Sequence, residues 1–246
     1  MTFYQKLKYA FVCLRAIPWL IKYPWFGFQL LIKRLSFTFT RRFCGETLVC
    51  KSTNEKIFNI QSLMTYWEIY SIEGLGNSWH KQLREKFQPI VFDIGANIGM
   101  FGRMILNINP TARVIAIDPI PGMRDCNKHA YNFHEFALGK DVSPTNLIFG
   151  NGWTASTKED FYKGKIISVN KSTLDWQWEN HGSKEIDILK IDVDGSELDI
   201  LAGAKACLEH VKVIIIEVIS KELRDNLPKT FKWKTINGYD YIGTKI

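Results

Sequence analysis

Between Pro89 and Phe101 the chain reads Pro-Ile-Val-Phe-Asp-Ile-Gly-Ala-Asn-Ile-Gly-Met-Phe. An apolar, β-branched run enters a small-residue loop with glycines at 95 and 99, and a stretch of helical composition follows. This unit constrains the fold more than any other feature. Its glycines permit a tight turn and close approach of a ligand to the backbone, and the helix start offers unpaired N–H groups. From here on, short β-branched runs alternate with helical stretches, the pattern of βαβ units in a mainly parallel sheet. The spacing predicts strands at 90–94, 113–117, 135–138, 147–149, 166–169, 186–191 and 213–218, and helices near 98–108, 122–131, 174–179, 197–207 and 221–226. Asn237-Gly238 reads as a hairpin turn or as a helix stop before a last strand at 239–242. The expected class is α/β, with a Rossmann-like sheet flanked by helices.

Charge separates a leader from this core. Residues 1–45 hold Lys6, Lys8, Arg15, Lys22, Lys33, Arg34, Arg41 and Arg42 and no acid, a charge of +8, while the remaining 24 basic and 25 acidic residues leave −1. We therefore divide the chain into a basic, aromatic, helical extension at 1–88 and a Rossmann-like domain at 89–246. Lys22 and Lys33 leave only ten uncharged residues between them, too few for a bilayer span of roughly 20. Pro18 and Pro24 interrupt the apolar run of a signal peptide. Two readings of the leader stand: helices that cap the core, and a peripheral contact with an anionic membrane surface. Five cysteines without a Cys-x-x-Cys pair suggest neither disulfides nor a zinc site and fit a cytoplasmic protein.

The loop spacing narrows the ligand. A dinucleotide fingerprint reads Gly-x-Gly-x-x-Gly, whereas Gly95-Ala96-Asn97-Ile98-Gly99 lacks the middle glycine, which argues against a nicotinamide oxidoreductase. Asp93 at the strand end suits a ligand with a cationic amino group. Nineteen residues after Gly99 the next strand ends in Asp118, where an acid can accept both ribose hydroxyls of a nucleoside. The segment 134–139 ends where an adenine would lie between apolar side chains.

With Ile188-Leu189-Lys190-Ile191-Asp192-Val193-Asp194-Gly195-Ser196-Glu197 added, the chain resembles the FkbM-type methyltransferases from about Ile90 to Val218. The matching pieces are the Asp-x-Gly-Ala-Asn-x-Gly loop at 93–99, Asp118-Pro119, Ala137-Leu138-Gly139, Ser172-Thr173-Leu174-Asp175, Leu-Lys-Ile-Asp at 189–192, Gly203-Ala204 and Ile216-Glu217. The resemblance implies a class I methyltransferase fold and S-adenosylmethionine as cofactor, held by Asp93, Gly95, Ala96, Asn97, Gly99, Asp118, Pro119, Ala137, Leu138 and Asp192. It also implies O-methylation of a hydroxylated small molecule, sugar or glycolipid. Where the family commonly has Glu, this chain has Asp118 and Asp194, which keep the charge and shorten the reach. The chain ends soon after Tyr241, leaving little room for a complete antiparallel pair at the sheet edge.

Methyl transfer needs an acceptor oxygen or nitrogen about 3 Å from the methyl carbon and a group to take its proton. Asp192, at the carboxyl edge of its strand, is the first candidate for contacting the methyl donor's amino end or the acceptor. Lys190 and Glu217 are charges in apolar strands, costly to bury unless paired with each other or with substrate. Asp194 and Glu197 read as a helix capping box. No ligand spacing demands a metal. The loop 150–157 is a candidate lid, and His80 a second acceptor-side candidate. Alternatives are an RNA methyltransferase, for which no RNA-binding signature appears, and a membrane-associated nucleoside-binding protein without turnover; no nucleic-acid partner is expected.

Overall fold

The computed structural model describes residues 48–50, 55–57, 83–97, 99–149, 155–159, 162–235 and 239–246. The chain divides into two units, Met1–Asn77 and Ser78–Ile246. In the first, β1 (Leu48–Cys50) and β2 (Glu55–Ile57) pair antiparallel. This part of the extension is therefore strand rather than the expected helix: apolar and β-branched residues flank turn-forming Ser52, Thr53 and Asn54. The basic leader 1–45 and His80 lie outside the described residues. Among the described residues no helix is long and apolar enough to cross a membrane.

The second unit runs β3 (Ile90–Ile94), α1 (Met100–Ile108), β4 (Arg113–Ile117), α2 (Met123–Cys126), β5 (Asn132–His134), β6 (Ala137–Leu138), β7 (Thr145–Phe149), β8 (Ala155–Ser156), β9 (Ile166–Val169) and β10 (Lys171–Ser172). It continues through α3 (Leu174–Asn180), β11 (Ile186–Ile191), α4 (Glu197–Ala202), β12 (Val211–Glu217), α5 (Lys221–Asp225), β13 (Phe231–Thr235) and β14 (Asp240–Lys245). Seven strands form the main sheet in the order β13-β14-β12-β11-β3-β4-β5. The run from β12 to β5 is parallel, and β14 and β13 close one side antiparallel. The chain begins in the middle at β3, steps outward to β4 and β5, then crosses to β11 and β12. Its order thus reverses between β3 and β11, the position where open α/β sheets bind ligands beyond their carboxyl ends.

Alternation along the strands builds the layers. Phe92, Ile94, Ile115, Ile117, Leu189, Ile191, Ile214 and Ile216 share one buried cluster with Leu174 and Trp178 of α3, Ile200 and Leu201 of α4 and Leu223 of α5. The intervening Val91, Val114, Ile188 and Ile215 are buried as well. Helix α1 packs on β4, with Phe101 and Ile105 buried. Both faces of the centre are therefore covered, as near-continuous apolar strands require.

Four expectations are corrected. The strand expected at 135–138 is only the two-residue β6, which stands outside the main sheet and pairs in parallel with β10, and the main-sheet strand lies earlier, as β5 at 132–134. Only Phe133 of β5 is buried, so its apolar signal is weak. The helix expected at 122–131 is the single turn α2, ended where the Asn127 side chain takes the Met123 carbonyl at 2.9 Å. The helix expected at 197–207 stops at Gly203 and resumes as a 3₁₀ turn at Cys207–His210. The antiparallel pair is complete after all, since five- and six-residue strands suffice; the residues joining β13 to β14 lie outside those described. In addition, β7 and β9 build a separate antiparallel sheet with β8.

At the amino end of β11, buried Asp187 accepts from the Ile90 N–H at 2.8 Å and from Lys86 Nζ at 2.7 and 2.9 Å, with Lys212 at 3.4 Å. Glu185 pairs with the same lysines from an exposed position. Removing Asp187 leaves the part-buried Ile90 N–H without its acceptor and takes the buried partner from two half-exposed lysines that keep Glu185, whereas Glu185 contributes a screened surface pair. Asp187→Ala is expected to lose about 1–3 kcal/mol in urea unfolding, and Glu185→Ala less than about 1 kcal/mol.

Candidate functional site

Gly95 follows β3 with φ 73°, and a Cβ there would lie 1.8 Å from the Asp192 carbonyl oxygen. Only glycine lets the loop backbone lie against the end of β11. The Gly95 N–H donates to the Ile117 carbonyl at 2.9 Å, which ties the loop to β4 on its other side. Asn97 is left-handed at φ 47°; its N–H donates to Asp118 Oδ2 at 2.7 Å, and its carbonyl accepts from Asn127 Nδ2 at 2.7 Å. Gly99, at φ 78°, stands before the first turn of α1.

Asp118 is buried, and its other oxygen accepts from the Ile120 N–H at 2.8 Å. Burial pushes its acid up to about 6, against the pull of those two backbone donors. Each oxygen keeps lone-pair capacity beyond one N–H, so the ionised form can accept further hydroxyl donors.

The second element is a buried cation. Lys190 sits opposite Asp93 in the β11–β3 register and lies 3.4 Å from Asp93 Oδ1 and 3.3 Å from Asp192 Oδ2, with its Nζ donating to the Gly95 carbonyl at 2.8 Å. Burial alone would lower the Lys190 pKa, and the two carboxylates more than offset that, holding it above the ordinary lysine range. Asp93 is fully buried, and burial pushes its acid up against the pull of Lys190. The cation that faces Asp93 is thus Lys190. Lys190 pairs with these acids and not with Glu217, which stands at the end of β12, one position past the Ile191–Ile216 pair. Asp192 keeps 43% of its side chain exposed at the carboxyl edge.

Beyond Asp192 the chain turns sharply through Asp194 (φ 54°) and Gly195 (φ 107°). Buried Glu197 reaches back and accepts from the Val193 and Gly195 N–H groups at 3.3 and 3.2 Å. This corrects the capping-box reading. The residue preceding α4 is Ser196, with no side-chain cap, and Asp194 instead accepts from the Tyr162 hydroxyl at 3.0 Å. The β8-β7-β9 sheet is stitched to the same turn. Ser156 Oγ donates to the Asp194 carbonyl at 2.6 Å, and Thr157 and Ser196 hydroxyls lie 2.5 Å apart. Of the candidate lid, residues 150–154 are outside those described.

The structure therefore gathers Asp93, Gly95, Ala96, Asn97, Asp118, Lys190 and Asp192 around one sheet edge. Pro119 follows Asp118, half-buried. Ala137 and Leu138 are buried in β6, with Leu138 part of the main apolar cluster. Asn127 and Tyr162 were not singled out in the sequence, since neither lies in a motif and each acts through long-range contact; Ser156 and Thr157 belong to the loop expected as a lid, and their hydroxyls are engaged by the turn at 194–196. Among the described residues no three His, Cys, Asp or Glu side chains converge as metal ligands.

The chain is similar to known proteins. The family described as Methyltransferase FkbM domain matches residues 93–239. The 2-O-methyltransferase NoeI of Sinorhizobium fredii is 27% identical over 176 residues, which cover 58% of this chain and 70% of that protein. The hexuronic acid methyltransferase AglP of Haloferax volcanii is 23% identical over 177 residues, with 65% and 69% covered. Among solved structures, fibrillarin of Aeropyrum pernix with natively bound S-adenosyl-L-methionine aligns at 9% identity over 73% of each chain, with a TM-score of 0.39.

The Lys190 pairing sets a test of its own. Lys190→Met leaves Asp93 buried without its cation and is expected to cost about 3–5 kcal/mol in chemical unfolding. Adding Asp93→Asn should recover a large part of that loss, a coupling of about 1–3 kcal/mol in the double-mutant cycle.

Proposed function

The chain belongs to the FkbM methyltransferase family, its methyl donor is S-adenosylmethionine, and we propose that it methylates a hydroxyl of a sugar or of a glycosylated small molecule. The observation that carries the reading is the Asp118 carboxylate, held by two loop N–H groups beside the Gly95–Gly99 turn at the sheet's reversal point. A ribose diol needs two strong acceptors, and Asp118 offers them. A dinucleotide would need a free cation or a further glycine for its pyrophosphate, yet Lys190, the cation that touches the loop at the Gly95 carbonyl, is taken up by Asp93 and Asp192. The residues present thus fit a nucleoside that carries a positive charge rather than phosphates.

Bound S-adenosylmethionine supplies an electrophilic methyl group on a sulfonium. In this reading Gly95, Ala96, Asn97 and Gly99 shape the backbone cradle, Asp118 and Pro119 meet the ribose, and the segment ending in Ala137-Leu138 lies at the adenine. Asp93 acts at one remove, by fixing Lys190. Asp192, partly exposed with Lys190 balancing its charge, faces the donor's amino end or the acceptor, and Glu217 lines the same edge one strand over. The sugar hydroxyl as acceptor class is supported by NoeI and AglP, which are named for 2-O-methylation and for a hexuronic acid. The same reading keeps residues 89–246 as the methyltransferase domain and 1–88 as an extension; the +8 charge over 1–45 supports contact with an anionic membrane surface.

Calorimetry at neutral pH is expected to show saturable binding of S-adenosylmethionine and S-adenosylhomocysteine and none of NAD. Asp118→Ala should weaken both by tenfold or more, about 1.4 kcal/mol. Because the ionised Asp118 is the form that accepts hydroxyls and its acid stands at about 6, affinity holds above that pH and declines below it, approaching tenfold per pH unit. Asp118→Asn should flatten this dependence. Absence of binding to the wild type would overturn the reading, and binding without S-adenosylhomocysteine production from any glycoside would overturn the acceptor class.

A further inference from the structure

Asp194 holds a left-handed backbone at φ 54° although it is not glycine, a conformation that persists where surroundings enforce it and that clusters at functional sites. The surroundings are on both sides. Glu197 clamps the N–H groups of Val193 and Gly195 from within, and Ser156 holds the Asp194 carbonyl from the small sheet. The side chain is oriented as well, since Tyr162 donates to Oδ2. Among the described residues, nothing donates to Oδ1. A half-buried carboxylate with one oxygen fixed and the other open, two residues past Asp192 at the mouth of the sheet, is placed to meet an acceptor.

We propose that Asp194 is the general base of the transfer, with its Oδ1 taking the proton of an acceptor sugar hydroxyl and Tyr162 as the positioning residue that aims it. The proposal rests on the methyltransferase reading. As a lone pair of the acceptor oxygen forms the bond to the methyl carbon, the carbon–sulfur bond breaks and its electron pair stays on sulfur. The positive charge is discharged, a methyl ether and S-adenosylhomocysteine result, and the hydroxyl proton moves to Asp194, from which water removes it. The two carboxylates divide the work: Asp192 is tied to Lys190 at 3.3 Å, whereas among the described residues no cation forms an ion pair with Asp194, on which Lys190 acts only at longer range. Burial and the neighbouring Asp192 push the Asp194 acid up to about 6, with the Tyr162 hydrogen bond drawing it down. A base of that strength is ionised at neutral pH and still able to hold a proton.

The test uses the full chain with S-adenosylmethionine and a panel of methyl glycosides of hexoses, 6-deoxyhexoses and hexuronic acids, alongside calorimetric binding of S-adenosylhomocysteine. Asparagine tolerates left-handed backbone, so Asp194→Asn should fold and bind S-adenosylhomocysteine within about twofold of the wild type. Its kcat should fall by roughly 100-fold or more with little change in acceptor KM. The acid limb of the wild-type kcat profile, with its midpoint near 6, should vanish. Tyr162→Phe should keep most activity and move that limb to higher pH, a change that a merely structural contact would not produce. Asp194→Asn with kcat within about threefold of the wild type, or with the acid limb retained, overturns the proposal. So does a wild type that binds S-adenosylhomocysteine but methylates no glycoside. A wild type that binds no S-adenosylhomocysteine refutes the methyltransferase reading itself.

Discussion

The structure hangs on one ammonium group. Lys190 rises from the middle of a six-residue strand that is buried throughout, among residues that would exclude any charge, and it is tolerated because three oxygens converge on it: Asp93, Asp192 and the Gly95 carbonyl. A buried ion pair rarely adds net stability, since desolvation consumes most of its Coulombic gain. What it does here is geometric. It fixes where β3 ends relative to β11, and it holds the loop carbonyl at that junction. The glycine loop, the acid on β4 and the turn after Asp192 are all positioned from that point.

The glycine at 95 completes this arrangement from the other side. Lys190 grips its carbonyl, its N–H reaches the last residue of β4, and its missing side chain lets the Asp192 backbone come close. Three strands thus meet through one residue. Two acids nearby, Asp118 and Asp194, are pushed up to about 6 by burial, although they sit on different loops. The low-dielectric environment that makes such acids costly also makes their charges effective toward a bound ligand.

Much of the fold was legible because its signals are local. The apolar runs of β3, β4, β11 and β12, the glycines at 95 and 99 and the acid at 118 each declare themselves over a few residues. What was missed depends on contacts between distant segments. β5 has a single buried residue and belongs to the sheet only because β4 is beside it. Phe231-Lys232-Trp233-Lys234-Thr235 alternates as a strand should, yet it was overlooked because the remaining chain looked too short for a pair. Asp194 and Glu197 have the spacing of a capping box, but left-handed backbone at 194 and 195 redirects both side chains. Sequence spacing specifies which groups are near one another along the chain, and not which way a strained turn points them.

The pairing of β3 with β11 also governs how the domain forms. Lys190 and the carbonyl it holds are 95 residues apart in sequence, so the centre of the sheet closes only after a long loop has been ordered, at an entropic cost that local hairpins such as β13–β14 do not share. Early folding species can contain that hairpin and the helices, but the cradle beside Gly95 exists only once β3, β4 and β11 have met. The cradle is therefore a product of long-range pairing, and a chain in which β3 and β11 have not met lacks the contacts that shape it.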